Sequence, residues 1–317
     1  MKTLWLFGAG ASYAEKEGSK FSLPKSIEVI CRILKLKNRQ TFSSYYHPIS
    51  KKELCKYIQK NSLDYRDFEG IYDYARTHSY LENIEYDRNG AKYPNSRVAD
   101  TILLGLYHIL KTTQRIDYPL NLHKKFLTGI YVEGDTIVST NYDIILDRVI
   151  LKKYKQINYG LQDDMVKSYE NRKIHNSCAK IKLIKLHGAF NWTVGLNKPK
   201  NIHRKMRILG SPPKSPSVKK QYISISRKFV KPSKTTQLYI NPGKMKENDI
   251  SNQPIFSTLI EEFKKEIYKC DQIVIIGSSV MRCDTHDNYL RKIIIDSGKN
   301  YCVIRDFKKW LQITEKE

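Results

Sequence analysis

The stretch that decides the fold is Ser139-Thr140-Asn141-Tyr142-Asp143 (STNYD), which lies between two short patterned segments. Residues 135–139 (DTIVS) form a β-type run, and residues 144–151 (IILDRVIL) have apolar side chains at helical spacing. The polar stretch therefore falls on a strand-to-helix turn. Since ligands of open α/β sheets bind at the carboxyl ends of the strands, we expect a site here.

A second polar turn follows residues 181–186 (IKLIKL), which predict a strand that ends at His187. An Asn, an Asp and a His at the mouths of two strands could form a reaction centre, made of Asn141, Asp143 and His187. The alternative stays open at this level. In that alternative, Asn141 and Asp143 cap the following helix and His187 packs within a loop.

The amino-terminal turn is a candidate phosphate site. Residues 3–7 (TLWLF) predict a strand, and the glycines of residues 8–12 (GAGAS) would let the backbone approach a ligand closely. The following helix would aim its free N–H groups at a phosphate. Tyr13 replaces the third glycine of G-x-G-x-x-G, and no ribose-binding acid follows at a strand end, which disfavours an ordinary dehydrogenase. A turn without a ligand explains the same glycines.

The clearest predicted strand is residues 273–276 (IVII), which is fully apolar and therefore expected to be central and buried. It leads into Gly277 and Ser278, a second candidate nucleotide contact. Residues 283–287 (CDTHD) come next, before a predicted helix that reaches Ile295. Asp284 in this run either contacts the nucleotide or caps that helix.

Composition limits the class of protein. The chain has 317 residues and a net charge of +24, which favours acidic partners such as nucleic acid, nucleotide phosphates or an acidic protein. Its six cysteines include no C-x-x-C pair, so we expect no zinc ribbon and a cytoplasmic, reducing location. Residues 1–14 could pass for a signal peptide, but Gly8 and Gly10 break the apolar run.

Two segments stand apart from the predicted strands. Residues 40–130 are mainly helical by periodicity, with helices predicted over residues 51–60, 63–78, 97–112 and 119–129. They predict an insertion over the first strand's site, with Glu69 on a solvated face. Residues 198–246 hold 14 Lys or Arg, six Pro and no Asp or Glu. This basic segment predicts either an arm that binds nucleic acid or a partner, or a solvated surface loop.

Four motifs in this order resemble the sirtuin-like superfamily: GAGAS (8–12), STNYD (139–143), KLHG with a following NW (185–192), and IVIIGSS with a following DTH (273–286). The closer resemblance is to the bacterial branch found in anti-phage defence proteins. It extends from residue 4 to about residue 295 and does not cover the two inserted segments. It implies one α/β domain over residues 1–317, with a Rossmann-like parallel sheet flanked by helices and NAD held across the strand ends.

The resemblance also implies roles for single residues. The catalytic residues would be Asn141, which holds the ribose and a water, Asp143, which orients Asn141 or the ring amide, and His187, the general base. The residues that contact NAD would be Gly8, Ala9, Gly10, Ser12, Thr140, Gly277, Ser278 and Asp284. The paired zinc cysteines of the deacetylases are missing, so no metal is expected and a peptide site is in doubt.

The implied activity is NAD hydrolysis to nicotinamide and ADP-ribose, as an effector of anti-phage defence by NAD depletion. An NAD-dependent protein deacylase and a non-catalytic nucleotide- or nucleic-acid-binding module remain alternatives. An NAD hydrolase that is active without regulation would be toxic to its host. We therefore expect homo-oligomers or a partner that restrains it, either a HerA-type ATPase or nucleic acid bound through residues 198–246. No membrane partner is expected.

Overall fold

The computed structural model describes residues 1–15, 28–35, 49–81, 94–115, 118–168, 174–196, 221–225, 236–239, 246–251, 253–282 and 287–314. The strands, in chain order, are β1 (Thr3–Phe7), β2 (Thr136–Ser139), β3 (Val166–Ser168), β4 (Lys182–Lys185), β5 (Gly188–Leu196), β6 (Gln221–Ile225), β7 (Thr236–Tyr239), β8 (Gln272–Ile276) and β9 (Asn300–Ile304). The α-helices are α1 (Ala9–Ala14), α2 (Val29–Lys35), α3 (Lys51–Lys60), α4 (Phe68–Leu81), α5 (Pro94–Leu110), α6 (Asn121–Lys125), α7 (Ile145–Tyr154), α8 (Lys246–Ser251), α9 (Pro254–Lys269), α10 (Asn288–Asp296) and α11 (Phe307–Thr314).

The main sheet has five parallel strands in the order β4-β2-β1-β8-β9. Every residue of β1 and β2 is buried, as is typical of parallel strands that are covered on both faces. β8 is buried from Ile273 to Ile276 and lies between β1 and β9, which confirms the prediction of a central strand. The predicted Rossmann-like sheet flanked by helices is confirmed.

A second, smaller sheet has the order β3-β6-β5-β7 and was not predicted. Its long strand β5 begins directly after His187 and pairs antiparallel with β6 and β7. The interpretation of residues 198–246 as a loop or arm needs correction for the part that is described. That part forms β6 and β7, because Ile223 and Ile225 alternate with polar residues and bury their side chains.

Helices α2 to α5 form a separate apolar cluster, and α3 to α5 agree with the helical periodicity of residues 40–130. This cluster includes Ile144, Ile145 and Phe190 at its edge, so the helices pack directly beside STNYD. The predicted helix over residues 63–78 begins only at Phe68, since the preceding residues form turns. The predicted helix over residues 119–129 is divided into α6 and a π-helical turn, Phe126–Ile130. Assignment of these residues to one inserted unit remains a prediction.

Helix α9 packs against β4, while α11 contacts α1 and α6. The larger core cluster joins these helices to the main sheet through residues such as Phe7, Phe256 and Phe263. Among the described residues, none of the helices has the length and apolar character needed to cross a bilayer.

Candidate functional site

The four predicted polar turns lie at one edge of the main sheet because their strands end at the same level. Phe7 pairs with Ser139 of β2 and with Ile276 of β8, and Ser139 pairs with Lys185 of β4. The turns after β1, β2, β4 and β8 therefore meet at the carboxyl edge. Strand order reverses between β1 and β8, and this switch point is where open α/β sheets hold their ligands.

The turns after β1 and β8 are in direct backbone contact. Gly10 N donates to Gly277 O at 2.7 Å, and Gly8 N donates to Ile276 O at 2.9 Å. A Cβ on Gly8 would lie 2.5 Å from Ser278 Cα. These glycines are thus required for the close approach of two turns, whether or not a phosphate binds there. Ala9 is exposed at the tip of the first turn.

Asn141 joins this pair of turns to the one after β2. Its Nδ2 donates to Gly8 O at 3.0 Å and to Ser12 Oγ at 2.9 Å. Both hydrogens of the amide nitrogen are therefore used within the protein, and Asn141 is buried. The remaining polar atom of the side chain is Oδ1, so a bound ribose would meet an acceptor at this position.

The carboxylate of Asp143 accepts the N–H of Ile145 at 2.9 Å, in the first turn of α7. Its backbone carbonyl accepts a hydrogen bond from Lys185 Nζ, whose ammonium is buried and also pairs with Asp147 at 2.8 Å. Asp143 thus satisfies the first N–H of α7 from one position before the N-cap residue Ile144, which is close to the capping alternative. Its predicted role in catalysis stays a prediction.

His187 follows β4, an outer strand of the main sheet, and 2% of its side chain is exposed. Its Nδ1 is 2.9 Å from the carbonyl oxygen of Thr140. Because a carbonyl oxygen only accepts, Nδ1 carries the hydrogen in this arrangement. Its Nε2 is 3.0 Å from Tyr289 Oη and 3.3 Å from Asp287 Oδ1. Nε2 is therefore the ring nitrogen left to accept a hydrogen bond or a proton, and it has partners within the protein.

Sequence reasoning missed a group of charged residues behind His187. Asp287 also accepts a hydrogen bond from Lys246 Nζ at 2.9 Å, and Lys246 Nζ lies 3.2 Å from Glu69 Oε1. The prediction that Glu69 lies on a solvated face was wrong, since only 17% of its side chain is exposed. Lys246, the last cation of the basic segment, is 2% exposed. Contacts between residues this far apart in the chain leave no local pattern to read.

The pKa values of this group follow from burial and opposite charge. Burial alone would raise the pKa of Asp287, but the charges of His187 and Lys246 outweigh it and hold that pKa far below its ordinary value. Burial alone would lower the pKa of Lys246, but Glu69 and Asp287 outweigh it and raise that pKa. Burial, and then the charge of Asp287, raise the pKa of Tyr289 well above its ordinary value.

The remaining predicted residues are placed as follows. Ser278 Oγ accepts the N–H of Val280 at 3.2 Å, and Thr140 N donates to Phe7 O at 3.1 Å. Asp284 lies outside the described residues. Within the described part of the chain, no group of three His, Cys, Asp or Glu could hold a metal ion. A surface cavity of about 480 Å³ along α10 contains none of the predicted residues and is lined by Asn288, Arg291, Lys292, Ile295 and Asp296.

The chain is similar at low identity to solved structures of Sir2 homologues. No protein-family model matches the chain, and no curated protein matches its sequence. Among solved structures, a Sir2 homologue–NAD complex matches with 12% identity and a TM-score of 0.36, over 99% of this chain and 90% of the other. A Sir2–p53 peptide–NAD+ complex matches with 10% identity and a TM-score of 0.36, over 99% and 92%.

The matched structures are of the class that the sequence motifs resemble, while the anti-phage branch stays a prediction. Identities and TM-scores at this level are too low to carry a residue's role or an activity over to this chain.

Proposed function

We propose that this protein hydrolyses NAD to nicotinamide and ADP-ribose. The observation that carries the proposal is the convergence of Asn141 and His187, from two different turns, at the carboxyl edge where the strand order reverses. The site would hold NAD with its phosphates near Gly8, Ala9, Gly10 and Ser12 and its adenosine side near Gly277, Ser278 and Asp284. Its ribose beside nicotinamide would lie near Thr140 and Asn141.

In the proposed reaction, water attacks the anomeric carbon of the ribose and the nicotinamide nitrogen leaves with the bonding electrons. Nicotinamide leaves as a neutral molecule, and the water supplies the new hydroxyl of ADP-ribose and one proton. His187 accepts that proton at Nε2, since Nδ1 already donates to Thr140. For this step Nε2 must exchange its contact with Tyr289 for the water or a ribose hydroxyl. Asn141 Oδ1 and the buried surroundings orient the ribose and exclude other water.

The experiment follows nicotinamide release from NAD by the native protein and by His187→Ala, with His78→Ala on α4 as the matched control. We expect a loss of roughly 10²- to 10⁴-fold in His187→Ala, because the general base is removed, and no loss in the control. Acetyl-ADP-ribose formed from an acetylated peptide would indicate the deacylase instead. Native protein that neither releases nicotinamide nor binds NAD would refute the proposal.

The proposed biological role is anti-phage defence by NAD depletion. A hydrolase that acted without restraint would exhaust the host's NAD, so a partner or an assembly must hold it inactive. The positive charge of the chain supports an acidic partner, either nucleic acid or an acidic face of a HerA-type ATPase, bound at residues 198–246. Size measurement of the purified protein, alone and with each partner, tests this role separately from the chemistry.

A further inference from the structure

A buried chain of charges runs from the candidate site into the helical layer, which is formed by α2 to α5. His187 is followed by Asp287 at the start of α10, then by Lys246 at the start of α8, and then by Glu69 in the first turn of α4. The nitrogen–oxygen distances along this chain are 3.3, 2.9 and 3.2 Å. The four residues come from distant parts of the sequence, and only packing brings them together.

Burial makes these contacts depend on one another. Removing a lysine ammonium from water costs several kcal/mol unless its charge is paired, and Lys246 is 2% exposed. It is paired on both sides, by Glu69 and Asp287. Asp287 is the member of this group that lies next to His187, so its position depends on Lys246 and, through Lys246, on Glu69.

Among the residues that the structure describes, the other contacts of His187 are with aromatic or neutral groups. Tyr289 places its hydroxyl 3.0 Å from Nε2, and the Tyr142 ring lies 5.9 Å from the imidazole between ring centroids. Thr140 presents its carbonyl oxygen to Nδ1. Among the described residues, Asp287 is the carboxylate within ion-pair distance of His187. A carboxylate can pair with Nε2 only when that nitrogen carries a proton. Asp287 is therefore placed to hold the imidazolium that forms when His187 accepts a proton at Nε2.

We propose that Asp287 is a positioning residue for His187, and that Lys246 and Glu69 fix Asp287, so that the docking of α4 controls the state of the site. Glu69 and Lys246 touch neither reacting atom and act through Asp287. If the helical layer shifts and Glu69 withdraws, Lys246 loses one of its two counter-charges and Asp287 loses its fixed partner. The site then loses its ordered His187. The proposal adds regulation to the proposed function and rests on that function only for its activity readout.

The first test observes His187 directly by NMR and needs no activity. The hydrogen on Nδ1 is buried and bonded to Thr140, so we expect a slowly exchanging ring N–H resonance, assigned by its loss in His187→Ala. In Asp287→Asn and Lys246→Met this resonance should shift and exchange faster. Glu69→Gln should have the same effect to a smaller degree. Lys180→Met, at an exposed lysine, is the matched control and should leave the resonance unchanged.

The second test measures kcat and KM for nicotinamide release in the same variants. A positioning role predicts that kcat falls roughly 10- to 100-fold in Asp287→Asn while KM changes little. Lys246→Arg, which keeps the charge, should restore part of the activity lost in Lys246→Met. An unchanged ring resonance in folded Asp287→Asn and Glu69→Gln would overturn the proposal even if NAD is hydrolysed. A shifted resonance in a protein without activity would support the proposal and refute the function.

Discussion

At the scale of single residues, close contact between two turns explains why the candidate site requires glycine. Gly277 has φ = +60°, and a Cβ there would lie 2.2 Å from Ala11 N in the neighbouring turn. Gly298 has nearly the same φ, +65°, but a Cβ there would meet nothing within 4 Å. The two positions share the backbone strain of an L-residue and differ only in the collision.

We therefore expect Gly277→Ala to be less stable than Gly298→Ala by roughly 1–3 kcal/mol, the cost of forcing extra atoms into a packed region. Gly298→Ala itself should cost about 1 kcal/mol for its left-handed backbone. Urea unfolding of both variants and the native protein measures the difference. Equal losses would mean that the two turns separate easily, and that their contact is not what selects glycine.

The positions of site residues could be predicted from the sequence where they depend on a local pattern, while the roles of these residues stay predictions. Gly8, Asn141 and His187 each follow a recognisable strand, and the structure brings them to one edge of the sheet. Glu69 and Lys246 could not be found in this way. Their 3.2 Å contact joins residues 177 positions apart, and each looks like a solvated charge in its own segment.

At the scale of elements, one carboxylate of α9 ties the amino-terminal ends of three strands together. Glu266 is 2% exposed and accepts hydrogen bonds from Lys2 beside β1, Thr136 of β2 and Lys182 of β4. Burial alone would raise the pKa of Glu266, but the hydrogen bonds from these three residues outweigh it. The pKa falls from 4.5 to about 2. The unfolded chain therefore binds a proton more readily than the folded protein.

This lowered pKa predicts that the free energy of unfolding decreases at low pH. The contribution of Glu266 is complete above pH 4.5 and is lost as the pH falls towards about 2. We expect Glu266→Gln to lower the free energy of unfolding by about 3 kcal/mol near neutral pH. The variant should also lose less stability than the native protein as the pH falls from 4.5 to about 2. Glu261→Gln, on an exposed face of α9, is the control. The prediction would be contradicted if the free energy of unfolding fell equally with decreasing pH in the native protein and in Glu266→Gln.

Elements with a strong local pattern were predicted well, and those that depend on pairing were not. The apolar runs gave β1, β2 and β8, and periodicity gave α3 with its bounds, since its capping box begins at Ser50. The second sheet was missed. Its strand β5 pairs along both edges, with β6 and β7, and carries the buried polar residues Asn191 and Thr193, so it shows no simple apolar pattern. No local sequence pattern predicts that β6 and β7 pair with β5.

At the scale of the whole molecule, the described residues bury two apolar clusters that meet beside the site. The larger one contains the main sheet and α9, and the smaller one contains α2 to α5. Phe190 of β5 belongs to the smaller cluster, with its ring 5.7 Å from that of Tyr107 in α5 and 6.0 Å from that of Tyr142 in STNYD. It is a main apolar link between the helices and the site.

This arrangement predicts that the helical layer can open while the sheet stays folded. Phe190→Ala should cost about 3–5 kcal/mol and speed hydrogen exchange in α4 and α5 much more than in β1 and β8. Phe263→Ala, equally buried but in the larger cluster, should speed exchange in the sheet. Uniform acceleration in both variants would show one cooperative unit instead. Because Glu69 reaches Lys246 across this same boundary, opening of the helical layer would break the contact that holds Asp287 against His187.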